Sequence, residues 1–223
     1  IRGNISEPMQ VICQLQRPVQ LGLGAMETRV LQADAMDRAL IALTEFREVA
    51  MANGCEIDQI HAIGTSILRR AENTQQFVAE VHQRLGIEIQ VISGIEEADL
   101  IYHGIFNSLP KPWNPISLVM DIGGGSVEFI LFEGTNIRFK VSLELGGLRL
   151  LSLFQLDRHF HRSQLGEMQS YILDQMKPLF TACAEYKPIV LIGAAGAFET
   201  IWDLANADWP NRVIPPASKL LKT

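Results

Sequence analysis

The spacing of apolar residues divides the first half of the chain into alternating strands and helices. Between residues 35 and 52 apolar side chains recur at helical spacing, and Gly54 ends the pattern. By the same criteria we predict strands at residues 9–15, 57–65 and 87–92, and helices at residues 35–52, 72–85 and 95–106. This order of elements is typical of an α/β layer.

A segment with three prolines separates this half from the next. Residues 107–117 contain Pro110, Pro112 and Pro115, which interrupt the alternation. The remaining predicted elements are strands at 118–121, 127–132, 137–145 and 189–192, helices at 148–154, 163–186 and 194–204, and an irregular tail at 208–223. The first three of these strands form a meander, because no helix fits between them. We therefore expect two α/β domains, 1–116 and 117–223.

Composition and charge exclude several classes of protein. The chain has 223 residues, 48% of them hydrophobic, which is enough to bury a sizeable core. Its formal net charge of −6 provides no basic field for a nucleic-acid polymer. Cys13, Cys55 and Cys183 are an odd number at wide spacing, which favours a reducing, cytoplasmic setting over a disulfide framework. No apolar run reaches the roughly 18 residues of a membrane span, so we expect no membrane association.

The segment VMDIGGGSVEFILFEG, residues 119–134, carries the clearest chemistry. Its three glycines can take positive φ and expose backbone N–H groups, and successive amides of this kind bind phosphate oxygens. Asp121 at the strand end could hold Mg²⁺, and Glu128 could face the same cleft. A plain tight hairpin also explains the turn. The candidate phosphate-binding residues here are Gly123, Gly124, Gly125 and Ser126.

Two common nucleotide-binding motifs do not fit this turn. A Walker-type loop needs a lysine next to the serine and a helix after it, and a dinucleotide fingerprint needs its glycines to open a helix. Residues 127–131 resemble a strand instead. The sequence therefore favours a phosphate loop of hairpin type.

Three further segments place polar or small residues at the ends of predicted strands. Glu96 and Glu97 begin a helix, where they either stabilise its N-terminus or include a base that activates a hydrolytic water. Arg69 or Arg70 could bind a phosphate with two hydrogen bonds or lie at a solvated helix start, and the solvated position is favoured for Arg70. The small residues 193–197 could bind an anion at a helix N-terminus or allow close packing of a strand and a helix.

In this order, the segments resemble the exopolyphosphatase / guanosine pentaphosphate phosphohydrolase family. The similar runs are T-S-x-L-R-x-A-x-N at residues 65–73, I-S-G-x-E-E-A-x-L at 92–100, D-I-G-G-G-S-T-E at 121–128 and the segment SLELGGLRL at 142–150. Val127 replaces the threonine of the third run, and Gly146 and Arg149 match in the fourth. The resemblance spans about residues 19–205.

The resemblance implies a fold and an activity. The family belongs to a group with actin-like ATPase domains of the ribonuclease H type. We therefore expect two such domains, each with a mixed sheet flanked by helices, and an active site in the cleft between them. The implied activity is Mg²⁺-dependent hydrolysis of inorganic polyphosphate or guanosine pentaphosphate. The alternatives are a phosphotransferase or ATPase of the same fold and a non-catalytic binding protein, and a homodimer is one candidate oligomeric state.

The resemblance also implies roles for individual residues. Glu97 corresponds to the family's water-activating base, with Glu96 as the second choice, and Asp121 and Glu128 are the expected Mg²⁺ ligands. The expected phosphate-binding residues are Gly123, Gly124, Gly125, Ser126, Arg69, Thr65, Asn73, Gly193, Gly196 and Arg149. Residues 193–197 read G-A-A-G-A where the family tends to have G-x-G-G-T or G-T-x-G-T. We expect the family's first strand and first phosphate loop before Ile1, and its closing strand and helix after Thr223.

Overall fold

The structure is a computed structural model of the chain, and it describes residues 10–156 and 161–207. The chain divides into two compact units. The first combines Ile1–Ile63 with Arg70–Gln90, and the second combines Gly64–Arg69 with Val91–Thr223. The domains 1–116 and 117–223 stay a prediction.

The described residues form helices, short strands and one run of three consecutive strands. In chain order, the helices are α1 Ala25–Thr28, α2 Ala33–Ala52, α3 Ser66–Arg70, α4 Thr74–Leu85, α5 Gly94–Ser108, α6 Gly147–Leu153, α7 Arg162–Gln175, α8 Lys177–Tyr186 and α9 Gly196–Ala207. The strands are β1 Ala62–Gly64, β2 Ile89–Val91, β3 Ser117–Ile122, β4 Val127–Glu133, β5 Asn136–Leu143 and β6 Val190–Ala194. β1 pairs with β2, and the other four strands form a second sheet in the order β5-β4-β3-β6.

Three predicted elements differ from the structure. Residues 11–15 of the first predicted strand are irregular and exposed, so their apolar side chains have no sheet face to cover. Residues 57–65 contain a 3₁₀ turn at Ile57–Gln59 before the short β1. The single helix predicted at 163–186 is two helices, because Pro178 lacks an N–H and its ring clashes with the preceding turn. The tail at 208–223 lies outside the described residues.

The four-stranded sheet is mixed and carries helices on both faces. β4 pairs antiparallel with β3 and β5, whereas β6 pairs parallel with β3. On one face, α5 packs through Ala98 and Tyr102 onto residues of β3 and β4 that include Val119 and Phe132. The opposite face packs against side chains of α7 and α8, such as Leu179. The predicted α/β class with a mixed sheet flanked by helices is therefore confirmed.

The sheet register places three polar side chains in one row on the face that α5 covers. Asp121 of β3 pairs with Glu128 of β4, and Glu128 pairs in turn with Ser142 of β5. Side chains alternate between the faces of a strand, so these three share the face of Val119 and Phe132. The row lies at the end of β3 and beside the glycine turn that connects β3 to β4.

None of the helices in the described ranges is long and apolar enough to cross a membrane.

Candidate active site

Glu128 is a buried carboxylate in the centre of the polar row. Its side chain is 2% exposed. The Ser142 hydroxyl donates a hydrogen bond of 2.7 Å to Glu128 Oε1, and Ser126 forms a further side-chain hydrogen bond with this carboxylate. Burial raises the pKa of Glu128, and the nearby Glu97 and Asp121 raise this pKa further, against the two serine hydrogen bonds that lower it.

Asp121 shares this acidic environment. Burial is the main cause that raises the pKa of Asp121, and the charge of Glu97 raises this pKa further. Glu97, Asp121 and Glu128 are therefore close enough to repel one another when all three are ionised. A bound cation would relieve this repulsion, which fits the predicted Mg²⁺ ligands Asp121 and Glu128.

The described residues contain no group of three or more acidic, histidine or cysteine side chains arranged to hold a metal ion on their own. Mg²⁺ nevertheless needs only one or two carboxylates when waters and substrate phosphates complete its coordination. A two-carboxylate site at Asp121 and Glu128 is compatible with that chemistry.

Glu96 and Glu97 begin α5 but have different partners. Glu96 forms a capping box with Ser93: Glu96 Oε2 accepts from the Ser93 N–H at 2.7 Å, and Ser93 Oγ accepts from the Glu96 N–H at 3.2 Å. The Glu96 side chain is exposed, and hydrogen bonds that its carboxylate accepts from Ser93, first from the backbone N–H, lower its pKa. Glu97 instead accepts a hydrogen bond of 2.6 Å from Arg69 Nη1. The structure thus gives Glu96 a helix-capping contact and turns Glu97 towards Arg69.

Arg69 brings a positive charge to the first turn of α5. Its side chain is 15% exposed, and that of Glu97 is 18% exposed. Arg69 Nη1 also donates to the Ile92 carbonyl at 3.1 Å. Arg69 Nη2 is buried and has no hydrogen-bond partner among the residues that the structure describes. A buried donor without a partner is unfavourable, and an acceptor on a ligand would remove that cost.

The glycine turn is oriented by hydrogen bonds to the start of α6. The Gly123 and Gly124 carbonyls accept from the N–H groups of Gly147 and Arg149, both at 3.1 Å, and the Gly125 carbonyl accepts from Arg149 Nε at 2.7 Å. In a trans peptide the following N–H points opposite to the carbonyl. The N–H groups of residues 124–126 therefore point away from α6.

The glycine turn does not use positive φ, and its close approach to α6 depends on Gly146. The described glycines with positive φ are Gly24, Gly54, Gly86 and Gly134, so the predicted use of positive φ at residues 123–125 is wrong. A Cβ on Gly146 would lie 2.3 Å from the Gly125 nitrogen and 2.4 Å from the Gly124 carbonyl carbon. Gly146 thus lets the start of α6 lie directly on the turn.

Arg149 contacts the protein rather than open solvent. Besides the hydrogen bond to Gly125, it forms an ion pair with Glu144. Its side chain is 11% exposed. Arg149 therefore holds the glycine turn in this arrangement, and direct contact with phosphate stays a prediction.

The other predicted phosphate-binding residues lie in different surroundings. Thr65 precedes α3, and its carbonyl accepts from the Arg69 N–H at 3.0 Å. Asn73 belongs to the first compact unit, where its side-chain amide forms hydrogen bonds with the N–H and the carbonyl of Leu31 at 2.8 and 3.0 Å.

The two predicted glycines at the junction of β6 and α9 differ in their surroundings. A Cβ on Gly193 would lie 2.2 Å from the Phe198 ring, whereas one on Gly196 would meet nothing within 4 Å. Close packing thus accounts for Gly193, and Gly196 has space in front of it.

Ser142 is the site residue that the sequence did not single out. Its neighbours Gly146 and Arg149 drew attention because they match a motif, but the serine itself had no distinctive spacing. The available signal was the meander: a short turn after β4 fixes the register of β5, which pairs residue 142 with Glu128. Knowing that register requires the turn length and the bulge between Leu131 and Phe132, which the sequence pattern left undefined.

Comparison with known proteins identifies a family over nearly the whole chain. The model of the Ppx/GppA phosphatase family matches residues 2–219. A guanosine-5'-triphosphate,3'-diphosphate pyrophosphatase of Vibrio cholerae is 31% identical over 211 residues, which are 95% of this chain and 42% of that relative. The chain thus spans less than half the length of this curated relative.

Solved structures show the same fold. An exopolyphosphatase from Cytophaga hutchinsonii is 33% identical, with a TM-score of 0.79 over 87% of this chain and 62% of that one. An Aquifex aeolicus member of the Ppx/GppA family is 23% identical, with a TM-score of 0.65 over 88% of this chain and 61% of that one, which is a likeness of fold. The resemblance seen in the sequence is confirmed.

Proposed function

Because the chain belongs to the Ppx/GppA phosphatase family, we propose that it takes part in hydrolysis of phosphoanhydride bonds and releases terminal phosphate from inorganic polyphosphate or guanosine pentaphosphate. The similar Vibrio cholerae protein is a guanosine-5'-triphosphate,3'-diphosphate pyrophosphatase and the similar Cytophaga hutchinsonii protein an exopolyphosphatase. The main structural support is that Asp121 and Glu128 are paired on β3 and β4, with the charge of Glu97 acting on both, beside a glycine turn whose amides point away from α6.

Substrate phosphates would bind between Arg69 and the glycine turn. Arg69 offers the buried Nη2, which has no other partner in the described ranges, and a guanidinium group can bind a phosphate with two hydrogen bonds. The N–H groups of residues 124–126 point away from α6 and can donate to phosphate oxygens. Neutral amides and one arginine can hold a phosphate although the net charge of the chain is −6.

Glu97 is the proposed general base. Its carboxylate would accept a proton from the attacking water, while Arg69, at 2.6 Å, fixes its orientation before the substrate arrives. Asp121 and Glu128 would hold Mg²⁺, which when bound neutralises part of the phosphate charge. Hydrolysis in this site depends mainly on positioning and on charge stabilisation, as in other phosphoryl transfers.

Phosphate release tests this function directly. The protein is incubated with Mg²⁺ and either polyphosphate, guanosine pentaphosphate, or ATP plus a sugar, and free phosphate is measured. We expect release from polyphosphate, from guanosine pentaphosphate or from both, and the ratio of the two kcat/KM values defines the substrate preference. Turnover of ATP with both other substrates intact would instead indicate a phosphotransferase or ATPase. No turnover combined with substrate binding would indicate a binding protein.

A further inference from the structure

Ser142 contacts two parts of the candidate site at once. Its hydroxyl donates to Glu128 Oε1 at 2.7 Å. Its side chain also lies against Gly94, the first residue of α5, since a Cβ on Gly94 would lie 2.4 Å from Ser142 Oγ and 2.5 Å from Ser142 Cβ. Ser142 therefore bridges β4 and the helix turn that carries Glu97.

A second contact joins the same strand to the same helix. Lys140 lies two residues before Ser142 on the same face of β5, and its Nζ bonds both carboxylate oxygens of Asp99 at 2.5 and 2.6 Å. This ion pair is partly exposed, so it contributes little energy by itself. Together the two contacts fix α5 along β5, and the Gly94 contact is the one next to the acidic groups.

We propose that Ser142 is a positioning residue, which holds the Glu128 carboxylate and the first turn of α5 in a fixed relation and so places Glu97 relative to Asp121 and Glu128. This role rests on the hydrolase function proposed above. Both properties of serine are used: the hydroxyl binds Glu128, and the small side chain lets Gly94 approach. No ligand contact is assigned to Ser142 itself.

Removal of the hydroxyl tests the positioning role. Ser142→Ala keeps the small side chain and should lower kcat for phosphate release by about 10- to 100-fold, the range typical of residues that orient metal ligands. KM should change little, because Arg69 and the glycine turn are untouched. The variant should stay folded, with an unfolding midpoint lowered by a few degrees at most because one hydrogen bond to a buried carboxylate is lost. Ser170→Ala is the matched control, since the exposed Ser170 hydroxyl donates only to the Gly166 carbonyl of its own helix.

The results separate this role from the proposed function. If the wild-type protein releases phosphate and Ser142→Ala does so with the same kcat, the role of Ser142 is overturned and the hydrolase function stays intact. A loss of kcat that only follows a loss of folded protein would also overturn it. A wild-type protein that releases no phosphate would overturn the hydrolase function, and with it the catalytic consequence of the contact.

The Gly94 contact can be tested without activity. Gly94→Ala should lower the unfolding midpoint by several degrees, because the new Cβ would overlap Ser142. In the double variant Gly94→Ala/Ser142→Gly the overlap is gone, so the two substitutions together should cost less than the sum of their separate effects. Gly104→Ala, in the same helix with nothing within 4 Å of its new Cβ, is the control. Additive effects at positions 94 and 142 would overturn the contact.

Discussion

Two adjacent glutamates at the start of α5 have different surroundings, and their substitution separates a structural role from a catalytic one. Glu97→Gln removes the proposed base but can keep the contact with Arg69. We expect kcat to fall by about 100- to 10,000-fold, since general-base catalysis contributes about that much. Substrate binding should persist, as measured by equilibrium binding of polyphosphate to the variant.

Glu96→Gln is the matched control for this substitution. Glutamine can still accept the Ser93 N–H in the capping box, so kcat and the folded structure should both be retained. A large loss of kcat in Glu96→Gln together with normal turnover in Glu97→Gln would move the base to Glu96.

The buried carboxyl of Glu128 predicts a dependence of stability on pH. Its pKa is raised, mainly by burial, so the folded protein binds this proton more tightly than the unfolded chain does. Its contribution to stability is therefore fully present below the ordinary carboxyl pKa and is lost as pH rises through the raised value. In the absence of divalent ions, Glu128→Gln should be more stable than the wild type at pH 8, and this difference should disappear at about pH 4.

Urea unfolding at the two pH values measures this effect. Glu133→Gln serves as the control, because Glu133 lies on the same strand but at the surface, where it pairs with Arg138. We expect that variant to differ little from the wild type at either pH, since a surface ion pair contributes about 0–1 kcal/mol. Equal stability of Glu128→Gln and the wild type at pH 8 would contradict the prediction that the ionised Glu128 carboxylate destabilises the fold.

At the scale of elements, the start of α6 supports the glycine turn and can be tested with two neighbouring glycines. Gly146→Ala would place a Cβ 2.3 Å from the Gly125 nitrogen and should destabilise the fold by about 1–3 kcal/mol, with a loss of phosphate binding. Gly147→Ala meets nothing within 4 Å and should change stability by less than about 1 kcal/mol. Chemical denaturation and phosphate binding of both variants provide the measurement. Equal effects at the two positions would show that α6 does not press on the turn.

The turn between β6 and α9 contains a residue in an unfavourable conformation. Ala195 has a φ of 65°, which an L-residue other than glycine adopts at a cost of about 1–2 kcal/mol. Ala195→Gly should raise the free energy of unfolding by up to about 1 kcal/mol, because part of the gain is offset by the greater freedom of glycine in the unfolded chain. Ala194→Gly, in β6, should instead lower it by about 0.5–1 kcal/mol. A destabilised Ala195→Gly variant would contradict this interpretation.

The sequence predicted the elements of the second compact unit better than their exact limits. Apolar alternation defined the meander of β3, β4 and β5, and helical spacing defined α5, because burial on one face imposes these periods. The divided helix at Pro178 was missed although the residue itself is a known helix breaker. The short helix α3 was also missed, since five residues are too few to show a period.

The contacts of the candidate site were predictable only in part. A motif marks some of its residues, whereas others meet only through the register and packing of separate elements, and the roles of all of them stay predictions. Glu97, Arg69 and Asp121 stand in recognisable segments, and the structure places them around one acidic region. Ser142 is brought to Glu128 by the pairing of β4 with β5. Gly193 contacts Phe198 because β6 packs closely against α9. Neither contact follows from the local sequence, because both depend on how separate elements meet in three dimensions.

At the scale of the whole molecule, folding brings together ionisable groups that are distant in the chain. Arg69, Glu97 and the pair Asp121 and Glu128 come from three separate segments, yet all belong to the second compact unit. The unfolded chain does not hold the carboxylates of Asp121 and Glu128 side by side, whereas the paired strands β3 and β4 do. A cation that binds both will therefore bind the folded state more tightly and stabilise it.

Magnesium should accordingly raise the unfolding midpoint of the wild-type protein, and this rise should require Asp121. A ligand present at 100 times its dissociation constant adds about 2.7 kcal/mol to the free energy of unfolding, which corresponds to a shift of several degrees. In Asp121→Asn the shift should be small, because one of the two proposed carboxylate ligands is lost. Asp174→Asn is the control for nonspecific binding, since Asp174 lies at the surface and pairs with Lys177. The measurement is thermal unfolding over a series of Mg²⁺ concentrations. Equal shifts of the midpoint in the wild type and Asp121→Asn would exclude Asp121 as a ligand. A shift that is lost in Asp121→Asn but kept in Asp174→Asn supports the site.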